Sequence, residues 1–417
     1  MKKRILFFTL TTFFYLNISN AQSTLNNKPI DSKYRRSSLH TILIESDRFP
    51  YKDTVLKAYY NAPFPDKYND HTIGEKSFNP NQYSRSTTIK DSEYKSIIDS
   101  YFKENKIAAK LVAKWFDRKA DGTMDMDLIG QRGLYNATEM AAKIASNSAR
   151  GLASLADAGE ELIGNTFVVV SKLNFVSNEY AAAIIREAAY AAASRIPYAT
   201  LEQAGRAVAD QIYEKTKEGY SVWTTSYLYK LKWNDSISTI FYTDLWMDEN
   251  TKDSSRKSKF DNSELFEMEY IGSENSSSLV TFSLKEKRSE EKIVEIATVR
   301  NIDAVYAKLQ KKYDVFKTKT PLYTGYPITA KIGLKEGVMG GDKYEVLEQT
   351  LDADGKTKYV RKGIIKVNGK QIWDNRFVAG ENEAVADSVA NNTPKRDRTL
   401  FKGSKNYYAG MLIRQIK

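Results

Sequence analysis

The chain has 417 residues, with 63 Lys and Arg against 52 Asp and Glu, a formal net charge of +11 and no cysteine. The lack of cysteine excludes disulfides, thiolate metal sites and a cysteine nucleophile. A hydrophobic fraction of 41%, with 12% aromatic residues, excludes a disordered chain, and at this length two or three domains are expected.

Lys2-Lys3-Arg4, the uncharged run from Ile5 to Ile18 and the small residues Ser19 and Ala21 are the three parts of a secretory signal peptide. Cleavage is expected before Gln22, which leaves a mature chain of +8. No cysteine follows, so a lipoprotein anchor is not expected. No later run of 18 apolar residues predicts a transmembrane helix.

Leu39 to Glu45 reads as a short buried strand. Asp47 to Glu75 reads as a surface loop with a short helix around Thr54–Tyr60. Asp91 to Phe116 has helical spacing in Tyr94, Ile97, Ile98, Tyr101, Phe102, Leu111 and Trp115. Asn136 to Leu162 is Ala-rich and amphipathic, a further helix ending near Gly164. Thr166 to Leu173 is β-branched and aromatic, as a strand buried on both faces would be. Glu179–Ser194 and Leu201–Thr216 predict two more helices, the second opened by a Thr200/Gln203 capping box.

From Trp223 to Trp233 apolar and polar residues alternate, which predicts a strand with one aromatic face. Asn234-Asp235 reads as its turn and Ser236–Tyr242 as the returning strand. Asp248–Ser263 reads as an exposed loop. Leu265–Ile271 and Leu279–Leu284 read as an antiparallel pair around a Gly272–Ser278 loop. Glu290–Tyr313 is helical in pattern, with a break near Asn301. Beyond a boundary at Lys317–Thr324 the texture becomes short strands: Ile328–Ile332, Lys343–Thr350, Lys358–Val367, Gln371–Trp373, Phe401 and Met411–Ile416. Gly340-Gly341-Asp342, Asp354-Gly355 and Asn368-Gly369 are turn signals, and Ala379–Arg398 reads as a long loop. This predicts a small β-barrel or β-sandwich.

The chemical motifs are sparse. His40 and His71 are the two histidines. His40 lies in an apolar run and a structural role is expected; His71 lies in a polar loop beside Asp70, Thr72 and Glu75. A zinc site or a serine triad would need them, and neither pattern is present. Asp121, Thr123, Asp125 and Asp127 alternate like calcium ligands but lack the Gly and Glu of an EF-hand loop, so a solvated turn is expected. No phosphate loop or nucleophile elbow occurs. A carboxylate pair, as in a glycosidase, is set by distance in space and stays open. The aromatic strand Trp223/Tyr227/Tyr229/Trp233 could stack on sugar rings, with a core role preferred.

From Pro321 to the end, 17 Lys and Arg face 11 Asp and Glu, so the last quarter carries most of the excess charge. In an exported chain the available anions are lipid head groups and acidic polysaccharides rather than nucleic acid. Lys356, Lys358, Arg361, Lys362 and Lys366 are the candidate anionic-surface patch. No catalytic, cofactor-binding or metal residue is expected.

Ala330-Lys-Ile-Gly-Leu-Lys-Glu-Gly337, followed by Gly341-Asp-Lys-Tyr-Glu-Val346 and the ending Tyr408-Ala-Gly-Met-Leu-Ile413, resembles the small β-module closing several bacterial envelope proteins. That of the flagellar assembly protein T family is similar in its Gly-Leu-x-x-Gly and Gly-Asp-x-Tyr-x-Val rhythm. Whole-chain character resembles an uncharacterised exported family of Gram-negative bacteria. The resemblance covers about a quarter of the chain, rests on glycine and turn positions, and implies a scaffold or assembly role.

The expectation is an α+β protein, with Ala-rich helices packed on an antiparallel sheet and a C-terminal β-module. Its parts are a signal peptide (1–21), a mixed region (22–130), a helical and hairpin domain (131–320) and a basic module (321–417). The expected function is an exported, non-catalytic binding or assembly component of the cell envelope, periplasmic or associated with the outer membrane. Its expected partners are other envelope proteins or an anionic surface; the alternative is an envelope hydrolase of the carboxylate-based glycosidase type.

Overall fold

The computed structural model describes residues 34–135, 160–217, 220–280, 289–351, 357–379 and 396–416, with residues 29 and 31, and without 75, 85, 87 and 405. The expected signal peptide, most of the Asn136–Leu162 helix, the end of Leu279–Leu284, the Asp354-Gly355 turn and most of the Ala379–Arg398 loop lie outside these residues.

The chain is α+β, with a mixed sheet followed by a closed barrel. The sheet order is β2-β1-β4-β5-β6, comprising β1 (Ser38–Ile44), β2 (Asn69–Asp70), β4 (Thr166–Ser177), β5 (Tyr220–Leu231) and β6 (Met268–Val280). The short β3 (Ser77–Phe78) also pairs with β1. β1 runs parallel to β4, and β4, β5 and β6 are antiparallel. The apolar runs of β1 and β4 follow from this central position. Leu39, Leu43, Phe167 and Val169 point into one core, while Ile42, Ile44, Val168 and Val170 point into another.

Helix α1 (Lys52–Asn61) and the long α9 (Glu290–Lys312) cover the first face; α2 (Tyr94–Glu104) and α3 (Ile107–Trp115) cover the second. A third cluster around Trp115, Phe116, Phe241 and Phe260 extends beyond the end of the sheet, and α4 (Asp127–Tyr135) adds Ile129 to it. α5 (Asn178–Ala193) and α6 (Ala199–Thr216) form a helical hairpin. Among the described residues they pack mainly on each other, which leaves Tyr180, Ile184, Ile185, Leu201, Val208 and Ile212 exposed.

Several elements differ from expectation. After β5 the chain does not return as a strand. Asn234 Oδ1 accepts from Ile237 N at 3.0 Å, capping a helix α7 (Asp235–Ile240). The partner of β5 is β6, a continuous strand through the expected Gly272–Ser278 loop. Gly272 stands at a bulge with φ +155°, where a Cβ would lie 2.2 Å from the Tyr313 hydroxyl. The expected exposed loop at Asp248–Ser263 contains α8 (Ser254–Asp261), capped by Asp253. α6 starts at Ala199, so Thr200 lies inside the helix and its capping box does not form. α9 does not break at Asn301; that side chain is buried and donates from Nδ2 to the Val222 carbonyl at 2.7 Å. A polar residue in mid-helix here docks the helix on β5.

The barrel order is β10-β11-β8-β7-β12-β9. The strands are β7 (Thr320–Thr324), β8 (Ile328–Ala330), β9 (Lys343–Leu351), β10 (Thr357–Val367), β11 (Thr399–Lys402) and β12 (Leu412–Gln415). Gln371–Trp373, expected as a strand, makes one bridge to Gly333. Leu322, Ile328, Tyr344, Val346, Ile365 and Phe401 fill the interior. α9 joins the two units: Lys311 Nζ donates to the Gly337 carbonyl at 2.7 Å, and Arg300 Nε donates to the Phe377 carbonyl at 2.9 Å.

Trp115 fixes the far end of the sheet. It is fully buried, and its indole N–H donates to Thr166 Oγ1 at 2.8 Å. Thr166→Val keeps the shape and strands that donor, so it should cost about 1–3 kcal/mol of unfolding free energy in urea. An unchanged denaturation midpoint would show the bond to be dispensable.

Candidate functional site

Barrel registry decides which basic residues share a face. In β10, Ile365 and Val367 point inward, so Lys366 points out. Lys366 stands directly opposite Lys343 on β9 and Lys402 on β11. Residues directly opposed across antiparallel strands share one face. Three exposed lysines therefore form a row across three neighbouring strands, whose backbones lie about 5 Å apart.

No carboxylate is ion-paired to the row among the described residues. Asp342 adjoins Lys343 in sequence, but its Oδ2 accepts from Met339 N at 2.9 Å and Gln415 Nε2 at 3.0 Å, and lies 3.5 Å from Lys311 Nζ. Like charges directly opposite one another on a sheet are destabilising. In the glycine-rich turn beside them, Gly341 has φ +92° and Gly340 packs on the Gly369 backbone, where a Cβ would lie 2.9 Å from Gly369 Cα.

The five predicted cations do not form one patch. Lys356 lies outside the described residues. Arg361 pairs in register with Leu347, on the outer face with Lys366, whereas Lys358 alternates to the other face. Lys362 sits at a bulge and its Nζ forms an ion pair with Glu348 Oε2 at 2.6 Å. Lys366 is the predicted residue that joins the row. Lys343 and Lys402 were missed because they are distant in sequence. Their juxtaposition depends on registry, which could have been read from the inward set Tyr344, Val346, Ile365 and Phe401.

The two histidines come together in a buried cluster. His71 is fully buried rather than in a solvated loop. Its Nε2 donates to the Leu111 carbonyl and its Nδ1 accepts from Arg132 Nη1, both at 2.9 Å, which fixes the tautomer. Arg132 also donates to Ser38 Oγ at 3.1 Å and the Asp70 carbonyl at 2.8 Å, and lies 4.5 Å over the Trp115 ring. Burial, then Arg132, holds the His71 pKa well below its ordinary value; burial and Lys114 pull His40 down to about 3. Burial and its engaged ring nitrogens give His71 the geometry of a strut holding β1, β2 and α3 rather than of a base. Asp121 Oδ1 closes its own turn, accepting from Thr123 N at 3.0 Å and from Oγ1 at 2.7 Å.

A cleft of about 460 Å³ opens between α2, α3 and the segment entering β6. Phe102, Phe266 and Tyr270 line it with Asp99, Glu264 and Glu267. Two of these carboxylates are engaged: Asp99 accepts from Tyr229 Oη at 3.0 Å and pairs with Lys95 at 2.6 Å, while Glu267 pairs with Lys232 at 2.6 Å. Of the aromatic strand, Tyr227 and Tyr229 are in the core, and Trp223 is exposed.

No protein-family model matches the chain, and no curated protein matches it.

Proposed function

We propose that this chain is an exported, non-catalytic binding or assembly component of the bacterial cell envelope. In this reading its C-terminal barrel docks on an anionic surface of lipid phosphates or acidic polysaccharide. The observation that carries the reading is the unneutralised row Lys343–Lys366–Lys402. A fold that sets three like charges opposite one another recovers the repulsion when an anionic partner covers them. The signal-like N-terminus makes envelope anions the relevant ones, and the turn rhythm shared with envelope β-modules supports an assembly role.

The test is co-sedimentation of the mature chain with phosphatidylcholine vesicles, with and without phosphatidylglycerol. Binding should require the anionic lipid and fall steeply from about 50 mM to about 300 mM salt as screening shortens. Equal binding to neutral vesicles, or none to either, would reject a lipid surface; the same assay on an acidic polysaccharide then decides the reading.

The cleft supports a second reading, an envelope glycosidase. Glu264 would act there with Asp99 or Glu267 across an aromatic wall. Hydrolysis of a cell-wall glycan that Glu264→Gln abolishes would establish it, and activity unchanged by that substitution would remove it.

A further inference from the structure

The segment leading into β1 lies across the outside of the barrel. Tyr34 is buried against Leu347 and Leu412, and its hydroxyl is hydrogen-bonded to that of Tyr359. Arg36 follows, with its guanidinium 5.5 Å from the Tyr34 ring. Among the described residues, Arg36 Nε and Nη2 are buried and have no hydrogen-bond partner. Lys319, just before β7, holds its Nζ 4.1 Å over the Tyr359 ring. The third cation is Arg414 on β12, whose Nε and Nη2 both lie 2.6 Å from Glu345 Oε1 on β9.

The charges around this seam do not balance. Among the described residues, Glu345 is already taken by Arg414, and exposed Glu161 is the other carboxylate felt at Tyr359. Two further cations therefore stand beside the Tyr34–Tyr359 pair. A buried guanidinium nitrogen without a partner is costly, because a charged group has lost water and gained nothing. Burial, then Arg414 and Arg36, pulls the Lys319 ammonium down to about 8, as the same excess of positive charge requires. A guanidinium fork and an ammonium together match the oxygens of a doubly charged anion.

We propose that Arg36 and Lys319, walled by Tyr34 and Tyr359 and flanked by the Arg414–Glu345 pair, form a site for a phosphate-class oxyanion at the seam between the N-terminal segment and the barrel. The group is either free phosphate or the phosphomonoester of a lipid head group. This site is separate from the lysine row on β9–β11 and stands or falls independently of it.

The test titrates inorganic phosphate into the mature chain at constant ionic strength, following heat release and the thermal midpoint. A second arm measures co-sedimentation with phosphatidate vesicles. Saturable phosphate binding, weakened more than about tenfold in Arg36→Ala/Lys319→Ala and kept in Lys343→Ala/Lys366→Ala, is expected for free phosphate. Vesicle binding with the same dependence on Arg36 and Lys319 assigns the ligand to a head group. Lys319→Arg guards against loss of fold: it should retain binding and carry it past pH 9, where wild-type affinity drops as Lys319 loses its proton near 8. No saturable binding in either arm, or binding unchanged in the double alanine variant, overturns the proposal.

Discussion

Lys343→Glu/Lys366→Glu/Lys402→Glu should abolish co-sedimentation with anionic vesicles while leaving the barrel folded. Each lysine near an anionic surface contributes about 1 kcal/mol, so removing three costs about 3 kcal/mol, a loss of about a hundredfold, and reversal adds repulsion to that. The control is Lys358→Glu/Lys362→Glu. Lys358 points away from the row and Lys362 is held by Glu348, so this pair should weaken binding far less. A single change separates docking from folding. Lys366→Glu places a carboxylate between Lys343 and Lys402, turning two repulsive cross-strand pairs into attractive ones. It should raise the unfolding free energy measured in urea by a few tenths to about 1 kcal/mol while weakening vesicle binding. Such opposite signs are expected of a surface kept for a partner rather than for stability. If the triple variant still binds, or Lys366→Glu lowers stability, the row is ordinary solvated surface.

The periodic signals in the sequence were reliable where one physical cause dominated. β1 and β4 read as buried strands because both faces meet helices, and the apolar spacing of α2 and α3 comes from a single buried face. The errors fell where tertiary context outweighed a local signal. Asn234-Asp235 suits a hairpin turn and a helix start equally; the cap on Ile237 N selected the helix. The serines around Gly272 look like loop, yet β5 pairs with them throughout, and the bulge there absorbs one residue. Asn301 looks like a helix break until Val222 offers its carbonyl. His71, among polar neighbours in sequence, is buried by Trp115, 4.8 Å away, and by Arg132. The basic character of the last quarter was legible from composition. Its useful geometry was not, because Lys343, Lys366 and Lys402 meet only through strand registry.

Asp303→Asn should flatten the pH dependence of stability between pH 4 and pH 7. Asp303 projects from α9 toward the barrel, with its side chain 13% exposed, and the nearest cation, Lys335 Nζ, is 3.9 Å away. Burial pushes its carboxyl up to about 7; Lys335 opposes this, and Glu336 and Asp66 add to it. The folded state therefore keeps a proton that the unfolded chain releases near pH 4. Between those limits the folded state binds more protons, so stability falls as pH rises and the loss is complete above about 7. Three units of separation correspond to about 4 kcal/mol. An amide cannot ionise, so Asp303→Asn should match the wild type at pH 4 and exceed it by a few kcal/mol at pH 8. The lost ion pair takes little away, because Lys335 is partly exposed and can turn to water. Urea denaturation at pH 4, 6 and 8 measures both slopes. Parallel slopes would mean that Asp303 is ionised in the folded state throughout. A variant weaker than wild type at pH 8 would mean instead that the Lys335 contact outweighs burial, and that the joint between α9 and the barrel is held by charge.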